Sequence, residues 1–195
     1  MNNYIKAYNN IKNSNIIKHT NLELNKTLSE LYDSNIYLKR EDMQTTRSFK
    51  IRGAYNKIIN NINNINNINK EIVTVSAGNH AQGVALTCNH LNIKHHIFLP
   101  ETTPLQKINR IKYYGKDKLI LHIKGKNFDD SYKYANIFSN HNNKLFIHPF
   151  DDKDIIFGQS TIGTEINIDL DEFNIEPNYI ICPIGGGGLI SGIGN

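Results

Sequence analysis

The chain has 195 residues, 39% hydrophobic and 21% charged, with a formal net charge of +4. That length makes one domain or parts of two, and the balance is that of a soluble globular protein. No apolar stretch approaches 18 residues, and the basic residues are scattered rather than gathered in an arginine-rich run, so neither a membrane-spanning helix nor a nucleic-acid patch is predicted.

Residues Met1 to Ala7 carry neither a secretory apolar core nor an arginine-rich transit pattern, which predicts a cytoplasmic protein. Tyr4, Ile5, Tyr8 and Ile11 fall near one helical face, and His19-Thr20-Asn21-Leu22 breaks that pattern. Ile36-Tyr37-Leu38 reads as a short strand leading into Lys39-Arg40-Glu41-Asp42-Met43-Gln44. Then comes Ser48-Phe49-Lys50-Ile51-Arg52-Gly53-Ala54, with a helix predicted from about 51 to 60. A lysine that is desolvated or crowded by cations loses basicity and can form an imine with a carbonyl compound. Lys50 follows Phe49 and has Arg47 and Arg52 close by, so both influences are expected. Taken alone, it also reads as one more solvated lysine. Residues 60–69 repeat Asn and Ile with period three, and asparagine at this density disfavours a helix interior. The stretch is predicted to fray the helix before it and to link to a second domain.

From residue 71 strand-like runs (72–75, 96–99, 118–123, 144–147 and 179–183) alternate with helix-like runs near 80–90, 104–114, 127–140 and 156–168, the last beginning around 187. This alternation predicts an α/β fold with a parallel sheet covered on both faces. Two strand-to-helix junctions stand out. Ser76-Ala77-Gly78-Asn79-His80-Ala81-Gln82-Gly83 places free N–H groups and a helix dipole where a carboxylate or phosphate binds well. Pro183-Ile184-Gly185-Gly186-Gly187-Gly188-Leu189 lets backbone approach a phosphate unobstructed. It fits neither the dinucleotide fingerprint nor the P-loop, and a plain glycine-rich turn is the alternative. Ligands on such sheets bind at the carboxyl ends of the strands, where both junctions are predicted.

Taken in order, the Lys39–Gln44 and Ser48–Ala54 stretches, Ser76–Gly83, His148-Pro149-Phe150, Gly158-Gln159-x-Thr161 and Gly185–Leu189 resemble the fold-type II enzymes that use pyridoxal 5'-phosphate, the group that includes the tryptophan synthase β chain. The match is to the threonine/serine dehydratase branch and, within it, the biosynthetic threonine dehydratases. The resemblance implies two parallel-sheet α/β domains. Residues 70–148 would form the smaller, and 1–69 with 149–195 an incomplete larger one that binds the cofactor. It implies that Lys50 carries the cofactor and is catalytic. Phe49 would pack beside it, Asn79 would bond its ring hydroxyl, and Gly185, Gly186, Gly187, Gly188 and Leu189 would offer N–H groups to its phosphate. Ser76, Asn79 and His80 would hold the substrate carboxylate. The implied reaction is deamination of L-threonine to 2-oxobutanoate and ammonia, a first step toward isoleucine. A serine dehydratase or racemase, a β-replacement enzyme and a non-catalytic fragment are the alternatives. Ala77 stands where serine racemases of this family carry a proton-donating serine, which favours elimination.

A small amino-acid substrate and, at full length, a homo-oligomer are expected, with no nucleic-acid, membrane or metal partner. Cys88 and Cys182 have no metal-type spacing and read as free thiols. His95 and His96 should face opposite ways, His148 reads as structural, and Asp151-Asp152-Lys153-Asp154 reads as a solvated turn or a helix cap. Family members continue past residue 195, so the chain is expected to be an incomplete catalytic unit that folds poorly, binds cofactor weakly and turns over little.

Overall fold

A computed structural model describes residues 2–62 and 71–194. The predicted linker falls outside them over 63–69. Helix α1 (Asn3–Lys12) is capped by Asn2, whose side chain accepts from the Tyr4 N–H, and it buries Ala7 and Ile11. Strand β1 (Leu22–Leu24) pairs antiparallel with β2 (Tyr37–Lys39), and α2 (Lys26–Tyr32) lies between them in the chain. Helix α2 buries no side chain, so it has no apolar periodicity to betray it. Asn25 caps its start, and Asp33 ends it in the left-handed conformation. A 3₁₀ turn over Glu41–Met43 follows, and α3 (Lys50–Asn60) begins at Lys50 itself.

The alternating half comprises β3 (Ile72–Val75), α4 (Asn79–His90), β4 (His95–Leu99), α5 (Leu105–Gly115), β5 (Leu119–Ile123), α6 (Phe128–His141) and β6 (Leu145–Ile147). Helices α7 (Lys153–Phe173) and α8 (Gly188–Ile193) complete the described chain. The four strands form one parallel sheet in the order β5-β4-β3-β6. Every residue of β3 and β4 is buried, as a parallel sheet covered on both faces requires. On one face Ile97 and Leu99 meet Ala81 and Ala85 of α4 and Ile108 and Ile111 of α5. On the other, Val73, Val75 and Phe98 meet Ala135 of α6. His95 and His96 take opposite faces: His95 Nδ1 lies 3.0 Å from the Ile93 carbonyl, while His96 stacks on His122 and packs against Phe138.

The strand order places the site. From β3 the chain moves outward through β4 and β5, then returns to the other side of β3 as β6. The carboxyl ends of β3 and β6 therefore flank a switch point, where an open α/β sheet leaves a crevice for ligand.

One predicted strand is absent. Residues 179–183 have no ladder partner among the described residues, and Tyr179 is 88% and Ile181 95% exposed. Strand propensity measures fit to a pleated, half-buried surface, and among the described residues this segment has no neighbouring strand to pair with. Among the described residues the segments flanking the sheet contribute the β1–β2 pair and helices, and the only parallel sheet is the four-stranded one.

Candidate active site

Lys50 is the first residue of α3, and that first turn is gripped from two sides. A Cβ on Gly83 of α4 would lie 3.0 Å from Ile51 Cα and 3.2 Å from the Lys50 carbonyl carbon. A Cβ on Gly158 of α7 would lie 2.6 Å from both Arg52 O and Gly53 Cα. Both neighbouring helices thus need glycine to come this close. The Lys50 Nζ donates to the Pro149 carbonyl at 2.9 Å, just past the end of β6. Burial holds this amine below the ordinary lysine range. The expected crowding by cations is not the cause. Arg47 is exposed, and the Arg52 guanidinium is fully buried between the carboxylates of Glu41 and Glu165.

The turn after β3 faces the same crevice. Ser76 Oγ accepts from the Gly78 N–H at 3.1 Å and shapes the turn. Helix α4 begins without a side-chain cap, so its first-turn N–H groups at Asn79, His80 and Ala81 keep their donors for a ligand. Asn79 is exposed there, and Ala77 packs toward the α4–α5 core. The His80 ring, in contrast, is turned inward. Its Nε2 lies 3.0 Å from Thr74 Oγ1, whose hydroxyl donates to the Ile147 carbonyl at 2.8 Å. The Thr74 oxygen is thereby left to accept from Nε2–H, and Nδ1 stays buried with no partner among the described residues. Burial, then the nearby Lys50 and His148, push this imidazole down to about 3. His80 is therefore a neutral tie between β3 and β6. What it can offer a ligand carboxylate is its backbone N–H, since the ring is engaged by Thr74.

The tetraglycine loop closes the opposite side. A Cβ on Gly186 would sit 2.4 Å from Phe150 Cγ, and one on Gly188 2.9 Å from Phe150 O. Gly185 and Gly187 face open space, and Gly187 has φ +81, which favours glycine. The ring under Gly186 is also 6.0 Å, centroid to Nζ, from Lys50. Phe49, 5.4 Å from the same amine, and Leu189 pack on one apolar cluster with Ile162, Ile166 and Leu170 of α7. The lysine and the loop thus share two walls. His148 accepts from the Asp151 N–H at 2.8 Å and so folds the turn that presents the Pro149 carbonyl, which is a structural role. Asp152 caps α7, its side chain accepting from the Asp154 and Ile155 N–H groups.

Two parts of the site escaped the sequence. One is the Pro149 carbonyl, a backbone group with no sequence signal. The other is a polar stripe on α7, Thr161, Glu165 and Asp169, spaced four residues apart on one buried face. Its spacing was legible, but its partners were not.

These residues fit a small phosphate-bearing aldehyde. The loop is bare of side chains and open at Gly185 and Gly187, a lysine of lowered basicity shares the Phe150 wall with it, and among the described residues the buried Ser48 Oγ and His80 Nδ1 on the adjoining segments have no hydrogen-bond partner. Among the described residues no helix is long and apolar enough to cross a membrane.

Comparison with known proteins agrees. The family model of pyridoxal-phosphate dependent enzymes matches residues 14–195. The biosynthetic L-threonine dehydratase of Bacillus subtilis (strain 168) is 45% identical over 190 residues, covering 97% of this chain and 43% of the relative. The processed form of threonine deaminase isoform 2 from Solanum lycopersicum superposes with a TM-score of 0.82 at 39% identity, over 97% of this chain and 54% of that one. The T.th. threonine deaminase gives 0.88 at 31% identity, over 99% and 59%. The chain thus spans less than half the length of the curated relative it matches. With the lysine, the two loops and the fold in agreement, the chain belongs to the family of pyridoxal-phosphate dependent enzymes.

Proposed function

We propose that this chain is the lysine-bearing part of an enzyme that deaminates L-threonine to 2-oxobutanoate and ammonia, a step in isoleucine formation. The observation that carries the reading is the Lys50 amine, desolvated and bonded to Pro149 O, at the sheet's switch point and sharing the Phe150 wall with the glycine loop. Bound pyridoxal phosphate would supply an electron sink for the pair released when the substrate Cα–H bond breaks. The chain's own residues supply the cofactor and substrate contacts on this side of the site. Lys50 Nζ would hold the cofactor and, once the substrate amine has displaced it, take the Cα proton, and burial lowers the basicity of this amine. The N–H groups of Gly185, Gly186, Gly187, Gly188 and Leu189 hold the phosphate. Phe49 packs beside the cofactor, and Asn79 meets its ring hydroxyl. Ser76, Asn79 and the His80 backbone N–H orient the substrate carboxylate.

Ala77 has no proton to deliver to a second face of the substrate, and its methyl packs into the α4–α5 core. That favours elimination over racemisation. We place residues 70–148, which hold all four sheet strands, in a smaller domain and the flanking segments in a larger one. A cytoplasmic homo-oligomer without nucleic-acid or membrane partners completes the proposal. The test is a 2-oxobutanoate assay with L-threonine and pyridoxal phosphate, on this chain and on one extended to its relatives' length. We expect turnover in the longer chain and little in the shorter. Rapid D-serine formation from L-serine by the longer chain contradicts the reading.

A further inference from the structure

The Lys39–Gln44 stretch takes no part in the chemistry above, yet it forms the most connected polar cluster of the described residues. Arg52, two residues past Lys50 in α3, points into the interior with no exposed surface. Its Nε and Nη2 donate to Glu41 at 2.9 and 2.8 Å, and its Nη1 and Nη2 donate to Glu165 at 2.6 and 2.8 Å. Thr161 Oγ1 and the Lys18 carbonyl take further bonds from it at 3.1 and 3.2 Å. Lys39 of β2 bridges Glu165 at 3.1 Å and Asp169 at 2.8 Å, and His19 lies 2.6 Å from Asp169. Gln44 clasps Lys18 through both its backbone groups. Segments from before β1, from β2, from the 3₁₀ turn and from α7 thus converge on the helix that carries Lys50.

The neighbouring contact explains why such a cluster is useful. Helices α3 and α7 meet at Gly53 and Gly158: a Cβ on Gly158 would strike only the α3 backbone, and one on Gly53 would strike the Ile155 carbonyl and the Gln159 side chain. With the Gln159 side chain set against Gly53 and bare backbone at Gly158, this contact offers few ridges to stop one helix sliding or turning on the other. The Arg52 fork, one residue away, supplies planar, directional bonds to carboxylates on both sides. Buried ion pairs are poor stabilisers, since apolar replacements of similar volume often serve as well, and their best-attested use is to fix register.

We propose that the Arg52–Glu41–Glu165–Lys39 network is a positioning device: it sets the register of α3 on α7 and so holds the Lys50 amine at the Pro149 carbonyl. The proposal rests on Lys50 being the cofactor lysine. Its geometric part can be tested without the cofactor. R52M/E41M/E165M removes one cation and two carboxylates and leaves Lys39 with Asp169. R52K keeps the charge and loses the fork. Each is compared with the parent chain by thermal unfolding, by the pH profile of competitive acetylation at Lys50, and by pyridoxal phosphate fixed to Lys50 with borohydride.

The triple variant is expected to unfold near the parent temperature. Its Lys50 acetylation midpoint should rise toward that of a free lysine, and fixed cofactor should fall by about tenfold or more, as expected when a reacting group is misplaced. R52K should lie between the two. A folded triple variant whose Lys50 acetylates and fixes cofactor like the parent overturns the proposal. If the triple variant does not fold, a folded R52K with a shifted Lys50 profile supports it. In that case an R52K that is unfolded or unchanged overturns it, as does a parent Lys50 that acetylates like a free lysine. A parent that shows the acetylation shifts but fixes no cofactor leaves the network standing and removes the functional reading instead.

Discussion

The two loops facing Lys50 share a local plan, an apolar run, a small-residue turn and a helix start, but they are held in different ways. The Ser76–Asn79 turn leaves a strand paired on both sides, and the His80–Thr74–Ile147 bonds tie its base across β3 and β6. The glycine loop leaves a segment with no ladder partner among the described residues. It rests on the Phe150 ring and on α8, which reaches α7 through Gly192, where a Cβ would be 2.7 Å from the Ser160 N–H nitrogen. The first loop is placed by the sheet. The second is placed by one aromatic ring, by the Leu189 and Ile193 side chains on the α7 cluster, and by one small-residue helix contact. Sequence motif alone therefore does not say how firmly a ligand loop is held.

Substitutions should separate the two modes. The largest effect is expected from Gly186→Val, because its Cβ would fall 2.4–2.6 Å from three ring atoms of Phe150 and the loop must lift. Pyridoxal phosphate affinity, followed by absorbance titration, should drop about 100-fold, the scale of an ångström-level misplacement. Thermal unfolding of the sheet should barely change. A variant that unfolds early while keeping its affinity would erase the distinction between the loops.

Acid should act on the sheet side. Burial, as the first cause, lowers His80 from 6.5 to about 3 and His95 from 6.5 to about 4. In both, the folded protein binds the proton less readily than the unfolded chain, so unfolding takes up protons. Their contribution is fully present above pH 6.5 and is lost as pH falls toward 4 for His95 and 3 for His80. Urea midpoints measured from about pH 7 to about pH 4 should decline steadily. A flat profile over that range would mean that these rings are not buried as described.

The smallest effect is expected from Thr74→Val, which keeps the shape but removes the hydroxyl bonded to Ile147 O and His80. Leaving such buried groups unpaired costs about 1–3 kcal/mol, readable as a lower urea midpoint. The glycine loop should bind phosphate analogues as before once the protein is folded.

The sequence announced most of the sheet half, because buried parallel strands are apolar runs and their helices carry a clear period. Lys50 and both loops were legible as motifs with a chemical reason behind each. Helix α2 was not, since it buries nothing and has no apolar stripe. The run at 179–183 looked like a strand because propensity registers residue type, whereas a ladder needs a neighbour that local sequence does not name. His80 was read as a contact for the substrate carboxylate from the resemblance, which does not say whether its ring or its backbone makes that contact. Only the fold shows that Thr74, six residues earlier, captures its ring. The Arg52 network stayed hidden for a similar reason: its carboxylates lie 11 and 113 residues away along the chain.

The central claim is that the desolvated amine of Lys50, and no other, receives the cofactor. The most direct measurement is borohydride reduction of the chain with pyridoxal phosphate, followed by digestion and mass mapping of the modified peptide. The label is expected on the peptide containing Lys50 and is expected to vanish in Lys50→Ala. A label on Lys39, Lys57 or any other lysine of the unsubstituted chain, with Lys50 unmodified, would contradict the account.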